Sequence, residues 1–284
     1  MKEEAEQDHF DRIVSSNNQW LKFDFKKIWS YKDLILLFVK RDFISLYKQT
    51  ILGPIWFVAE PLITTIVFTF IFGFMANLDT SNIPKPLFYL AGITLWNYFA
   101  ECLIKTSNTF ISNRSIFDKV YFPRVVVPIS VIISGLLKLG VQLLLFFIIC
   151  IYYSIVNNSI NLNIVIFLFP VLILVMAGLG LGFGLVISAI TTKYRDLRFL
   201  IEFGVKLLMY GTTVVLPLSM FGNYKWIILA NPMTSVIETF KYGMFSKGVF
   251  DWFYLSYSFT FMLIVLFLGF IIFNKTEKSF IDTI

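Results

Sequence analysis

Histidine is almost missing from this 284-residue chain, whose single copy, His9, sits in a polar N-terminal stretch. A histidine general base in a folded site, or a zinc site built on histidines, is thereby excluded. Charge is scarce as well: 15% of residues are Asp, Glu, Lys or Arg, against about a quarter in an ordinary soluble domain. None of the 15 glycines is followed by lysine, so the Gly-x-x-x-x-Gly-Lys-Ser/Thr phosphate loop is absent. If the protein uses ATP, a second polypeptide must hydrolyse it. Cysteine is limited to Cys102 and Cys150. Their expected depths in the membrane differ too much for a disulfide, and they read as small apolar residues.

What the chain has instead is apolar length. Hydrophobic residues make up 57% of it, and mean hydropathy is +0.77. Six apolar runs occupy about half the chain: 55–76, 87–110, 125–153, 164–190, 199–221 and 252–273. Each exceeds the roughly 20 residues that an α-helix needs to cross a bilayer. A membrane barrel would show alternating segments of about 10 residues, a pattern missing from these runs. None of the six contains Asp, which argues against an intramembrane aspartyl dyad. The sequence therefore predicts an all-α membrane protein with six transmembrane helices. The first 30 residues carry no continuous apolar stretch, so no cleavable signal peptide is read and the first span serves as the insertion signal.

The formal net charge of +6 is distributed in loops, and this favours a membrane over a nucleic-acid reading. Lys and Arg crowd residues 1–54, and Arg114, Lys119, Arg124, Lys193, Arg195 and Arg198 lie in the second and fourth inter-span loops. The first inter-span loop has only Lys85, and the third has no basic residue. Six spans with this bias place both termini in the cytoplasm.

Along the chain, residues 1–19 read as a mobile cytoplasmic tail and 274–284 as a second one. Residues 20–54 form an amphipathic segment. Within it, Ser30 and Asp33 make a capping box ahead of a helix with Tyr31, Leu34, Ile35 and Phe38 on one face. That pattern suits a helix in the cytoplasmic interface, and an ordinary soluble helix is the alternative. Pro61 should kink the first span. Between the fifth and sixth spans, Trp226–Ala230 is apolar, Asn231–Pro232 breaks the chain, and Met233–Phe245 regains helical spacing. Residues 222–251 are thus read as a re-entrant outer helical hairpin, tolerated at membrane depth only where buried or lining a cavity. Gly178, Gly180, Gly182 and Gly184 fit no dinucleotide fingerprint. As Gly178/Gly182 and Gly180/Gly184, they are two small-xxx-small pairs for close helix packing.

Ionisable groups inside the spans are Glu60, Glu101, Lys105, Lys138, Glu202 and Lys206. Glu101/Lys105 and Glu202/Lys206 have i,i+4 spacing and are expected to neutralise each other. Depth along the helices matches Glu60 with Lys105, so Lys105 is expected to bridge Glu60 and Glu101. Lys138 lies deeper and is expected to meet Glu238 of the hairpin as an outer gate.

Several stretches resemble one family pattern. Tyr47–Trp56 (YKQTILGPIW) followed by Pro61-Leu62, the preceding Tyr31–Leu34 and Lys40–Asp42, and Ser112–Arg124 are similar to ABC-type polysaccharide and polyol-phosphate export permeases. So are Tyr194–Arg198, Asn231–Met233 with Glu238, and the tail bearing Glu277, Phe280, Asp282 and Ile284. Glu60 departs from that pattern, in which glutamine is commoner. The resemblance implies a non-enzymatic permease that forms a homodimer in a bacterial inner membrane. Two copies of an ATPase subunit would bind it and carry the ATP and Mg, with no cofactor in this chain. The cargo implied is a lipid-linked polysaccharide such as O-antigen, capsule or teichoic acid. A drug or small-lipid exporter of the same architecture is the alternative. A secondary transporter would work without the ATPase, and an intramembrane transferase would need a catalytic His or Asp constellation. On the family reading, Arg114, Ile116, Phe117, Asp118, Lys119, Tyr121 and Arg124 couple to the ATPase, with Ile116, Phe117 and Tyr121 as apolar anchors. Tyr31, Arg41, Tyr47 and Lys48 gate the arrival of a lipid diphosphate. Tyr194, Arg195, Asp196 and Arg198 form a second cytoplasmic loop, and Trp56, Trp96 and Tyr98 are candidates to line a glycan path.

Overall fold

A computed structural model describes residues 25–48, 53–157, 161–194 and 196–281. The described residues form helices and connecting turns, without a strand. Two short N-terminal elements, α1 (Phe25–Ser30) and α2 (Lys32–Tyr47), precede α3 (Trp56–Phe68), which runs on as a π-helical segment, Thr69–Met75. Then come α4 (Lys85–Ser107), α5 (Thr109–Ser112), α6 (Arg114–Phe117), α7 (Val126–Asn157) and α8 (Phe169–Thr191). The chain closes with α9 (Leu197–Tyr210), α10 (Lys225–Leu229), α11 (Pro232–Phe245) and α12 (Trp252–Ile281).

Five helical stretches are long and apolar enough to cross a membrane: Trp56–Met75, Lys85–Ser107, Val126–Val156, Ile164–Thr191 and Trp252–Glu277. The protein is thus a multi-pass membrane protein. The run at 199–221 is not a continuous sixth. Its helix, α9, has 14 residues, about 21 Å at 1.5 Å per residue, and stops at Gly211. Beyond it, the Thr212 hydroxyl turns back onto the Met209 carbonyl, and Pro217 lacks the N–H that a helix would need. Apolar length alone had counted this run as a full span. Residues 274–281, expected to form a separate tail, continue α12 instead.

The centre of the molecule is α8, gripped between α4 and α12. The four glycines point two ways, as the spacing predicts. A Cβ at Gly180 would lie 2.6 Å from the Cys102 Cβ, and one at Gly184 2.5 Å from the Thr106 Cβ, both on α4. One at Gly178 would lie 2.5 Å from the Met262 sulfur, and Gly182 meets the backbone of Val265 and Leu266, all on α12. On the α12 side Gly269 answers Gly182, where a Cβ would come 2.6 Å from the Gly182 carbonyl oxygen. Such contacts bring helix backbones together where side chains would hold them apart. Cys102 and Cys150 are both buried free thiols.

At one end of the bundle, the end bearing the basic loops, α2 turns Ile35, Phe38 and Val39 inward. They pack with Phe110, Phe117, Phe122, Val126, Leu185 and Phe273. The face expected to be apolar is therefore the buried one, while Trp29, Leu36 and Leu37 remain exposed. Helix α2 begins at Lys32 with Tyr31, not Ser30, in the N-cap position. At the opposite end lie α10 and α11, separated by Ala230 and Asn231. Asn231 caps α11 by accepting the Met233 N–H, and its side-chain amide donates to the Gly211 carbonyl at 3.4 Å. Gly243 of α11 sits against the backbone of Ile166, and its carbonyl accepts the Asn163 N–H at 2.9 Å.

Candidate functional site

The loop between α4 and α7 is assembled from short polar closures. Asn108 and Ser107 return their side chains to the Ile104 carbonyl, ending α4, and Asn113 returns its amide to the Thr109 carbonyl. Four-residue α6 follows. Arg41 on α2 reaches this loop: its Nη1 donates to Asn113 Oδ1 at 3.3 Å, while Nε and Nη2 hold Asp42. Expected to meet an incoming diphosphate, Arg41 spends its donors on Asp42 and Asn113. Of its proposed companions, Tyr31 is half-buried and Lys48 exposed; the Tyr47 side chain lies outside the described residues.

The three apolar anchors expected for docking separate. Phe117 is 8% exposed, packed on Phe110 and Phe122, and unavailable to a partner. Tyr121, 79% exposed, projects outward beside exposed Val120, and Ile116 is half-buried. Helical periodicity could not tell the inward ring from the outward one in so short a helix. Arg114, Asp118 and Lys119 are exposed. Arg124 is buried, its guanidinium 5.2 Å from the Phe117 ring centre and 5.8 Å from that of Phe110. That burial draws its pKa below the ordinary arginine value, while Glu277, Asp118 and Tyr121 pull it back up. The Arg124 backbone N–H donates to Glu277 Oε1 at 3.2 Å, and its Nη1 faces the Glu277 carbonyl at 3.5 Å. Beside them lies a cleft of about 340 Å³ lined by Phe117–Phe122, Arg124 and Glu277. In the other basic loop, Tyr194 and Asp196 are exposed, Arg198 pairs with Glu202 at 3.0 Å, and Arg195 lies outside the described residues. Glu202 therefore finds Arg198 where Lys206 was expected.

Inside the bundle, four charges from three helices join. Lys105 meets Glu101 at 2.5 Å, and Lys138 meets Glu101 at 3.2 Å and Glu60 at 3.7 Å. Lys105 pairs with Glu101 and not with Glu60, and Lys138, instead of Lys105, bridges the two acids. Counting depth by Cα position had placed Lys138 beyond reach, whereas a lysine stem carries its head well away from its own Cα. The expected Lys138–Glu238 gate is absent. Glu238 lies 3.9 Å from Lys241 on the same helix. Lys241, 1% exposed, donates to the Thr213 carbonyl and rests 3.3 Å from the Phe88 ring centre. Sequence reading did not single out Lys241. Its i,i+3 spacing from Glu238 in an apolar amphipathic stretch was the available signal.

Of the candidate path residues, Trp96 and Tyr98 are core: Trp96 packs on Phe99, and the Tyr98 ring covers Gly135. Trp56 alone presents a largely exposed ring. Apolar faces also stand open on α3, at Ile63, Ile66 and Phe70, and on α9, at Phe199, Leu200 and Phe203. Among the described residues no three His, Cys, Asp or Glu side chains converge to hold a metal.

These features lie in a chain whose residues 33–245 match the family described as ABC-2 type transporter. The chain belongs to the ABC-2 type transporter family. The O-antigen export system permease protein RfbA of Klebsiella pneumoniae is 26% identical over 88% of this transporter chain and 94% of its own length. The protein of that name from Myxococcus xanthus is 24% identical over 76% and 82%, respectively. The polysialic acid transport protein KpsM of Escherichia coli is 23% identical over 82% and 89%. The loop from α4 to α7 and helices α10 and α11 all fall within the family match.

Proposed function

We propose that this chain is the membrane subunit of an ATP-driven exporter that moves a lipid-linked polysaccharide, O-antigen-like in class, across the bacterial inner membrane. The observation that carries the reading is similarity to permeases named for O-antigen export along nearly their whole length. The missing phosphate loop assigns hydrolysis to a separate ATPase subunit, two copies on a homodimer of this chain.

In this reading the basic end is cytoplasmic. Helix α9 and the turn residues after it make the sixth crossing, and α10–α11 is a re-entrant hairpin opening on the outer side. Helix α2 lies in the cytoplasmic interface, with Trp29, Leu36 and Leu37 toward lipid and Ile35, Phe38 and Val39 toward the bundle. The exposed Val120–Tyr121 edge receives the ATPase. Depleting the chain should strip the lipid-linked polymer from the cell surface and trap it on the cytoplasmic side, measured by glycan staining before and after cell opening. Normal surface polymer together with lost efflux of drugs or small lipids would favour the alternative cargo.

A further inference from the structure

Resting on the ATPase-docking reading of the loop between α4 and α7, we propose that Glu277 is a positioning residue. It clamps that loop to the C-terminal turns of α12, so that a push on the loop is delivered to the centre of the bundle. Helix α12 has 30 residues, about 45 Å at 1.5 Å per residue, against a hydrocarbon core of about 30 Å. It therefore outruns the membrane and brings Glu277 level with the loop. There the carboxylate accepts the backbone N–H of Arg124, and the Arg124 guanidinium reaches back to the Glu277 carbonyl, across 153 positions of sequence. The join is reinforced one turn earlier, where the Phe273 ring stacks on Phe110 at 4.8 Å and 26°.

From that join the contact is rigid in both directions. Toward the loop tip, Arg124 is sandwiched against Phe117, whose ring also meets Phe122. Toward the membrane centre, α12 meets α8 at Gly269 and Gly182, backbone against backbone. Between Glu277 and that crossing α12 is one continuous helix. The Glu277 carboxylate takes the loop's main-chain N–H while the Arg124 side chain meets the Glu277 carbonyl, so position 277 calls for an acceptor.

The test uses the chain co-purified with its partner ATPase, together with surface glycan on intact cells. Glu277→Ala should still co-purify the ATPase and hydrolyse ATP within about twofold of wild type, yet lower surface polymer at least tenfold. Glu277→Gln keeps an acceptor for the Arg124 N–H and should restore most of the export. Normal export by Glu277→Ala overturns the clamp, as does loss of ATPase co-purification in that variant or failure of Glu277→Gln to rescue. Tyr121→Asp separates this inference from the docking reading on which it rests. If Tyr121→Asp releases the ATPase while Glu277→Ala exports normally, only the clamp falls. If Tyr121→Asp leaves the ATPase bound, the docking edge is wrong.

Discussion

Two groups of paired charge sit in one bundle and are built on opposite plans. Glu60, Glu101, Lys105 and Lys138 come from α3, α4 and α7, so their contacts run between helices. The group grades outward, with the Glu60 side chain 60% exposed and that of Lys138 20%. Glu238 and Lys241 share one helix and are sealed. Their work is done on irregular backbone: Lys241 holds the Thr213 carbonyl in the turn after α9, and Glu238 Oε2 lies 3.5 Å from the Val249 N–H. The first group behaves as an adjustable seam, since Glu101 meets both Lys105 and Lys138 and Glu60 is largely exposed. The second is a pin, because the loss of either partner strands a charge where no water can replace it. Charge at membrane depth thus has two uses here: joining regular helices, and fixing the places where helices stop.

The largest effect should come from the pin. Lys241→Met leaves Glu238 buried without its cation and the Thr213 carbonyl without its donor, and should cost about 3–5 kcal/mol. It should be read as early unfolding in a denaturant titration of the detergent-solubilised protein. Lys241→Met combined with Glu238→Met should recover more than half of that loss. A single variant as stable as wild type would erase the distinction between pin and seam.

In the seam, Lys138→Met should cost about 1–2 kcal/mol, because Glu101 keeps Lys105 and Glu60 turns to solvent. In the same titration Lys105→Met should cost less than Lys138→Met. The reverse order would make Lys105 the bridge after all. Smallest of all, Glu60→Gln should change stability by no more than about 0.5 kcal/mol. A larger drop would mean that the exposed acid is held by a neighbour outside this chain.

Much of the architecture was legible because it depends on one-dimensional signals. Apolar run length located five of the spans, glycine spacing gave both faces of α8, and Asn231-Pro232 marked the start of α11. The i,i+4 rule found Glu101 with Lys105 because both sit on one helix. It failed at Glu202, where Arg198 and Lys206 are equally spaced candidates and Arg198 wins. Partners on different helices were harder. Lys138 and Glu60 are 78 positions apart, and only the packing of α3 on α7 brings them together. Phe117 looked like a docking anchor because exposure in a four-residue helix is decided by what folds over it, here α2 and Arg124. The shortness of α9 was foreshadowed by Gly211 and Pro217, but averaged apolarity outweighed them. Glu277 was noticed as part of a tail motif, and its role stayed hidden because its acceptor function is toward a main-chain group.

The two glycine faces of α8 also differ in time. Its α4 partner is already made when α8 leaves the ribosome, so Gly180 and Gly184 have a surface to close on at once. Gly178 and Gly182 must wait for Met262, Val265 and Leu266. At about 5–20 residues per second, the ~80 residues in between take several seconds to synthesise. Throughout that interval a bare strip of backbone lies open to lipid, or to whichever insertion factor shields it. Of the described helices, the last to be made is thus the one that completes the centre, and a chain truncated before α12 would lack the centre and not merely an edge.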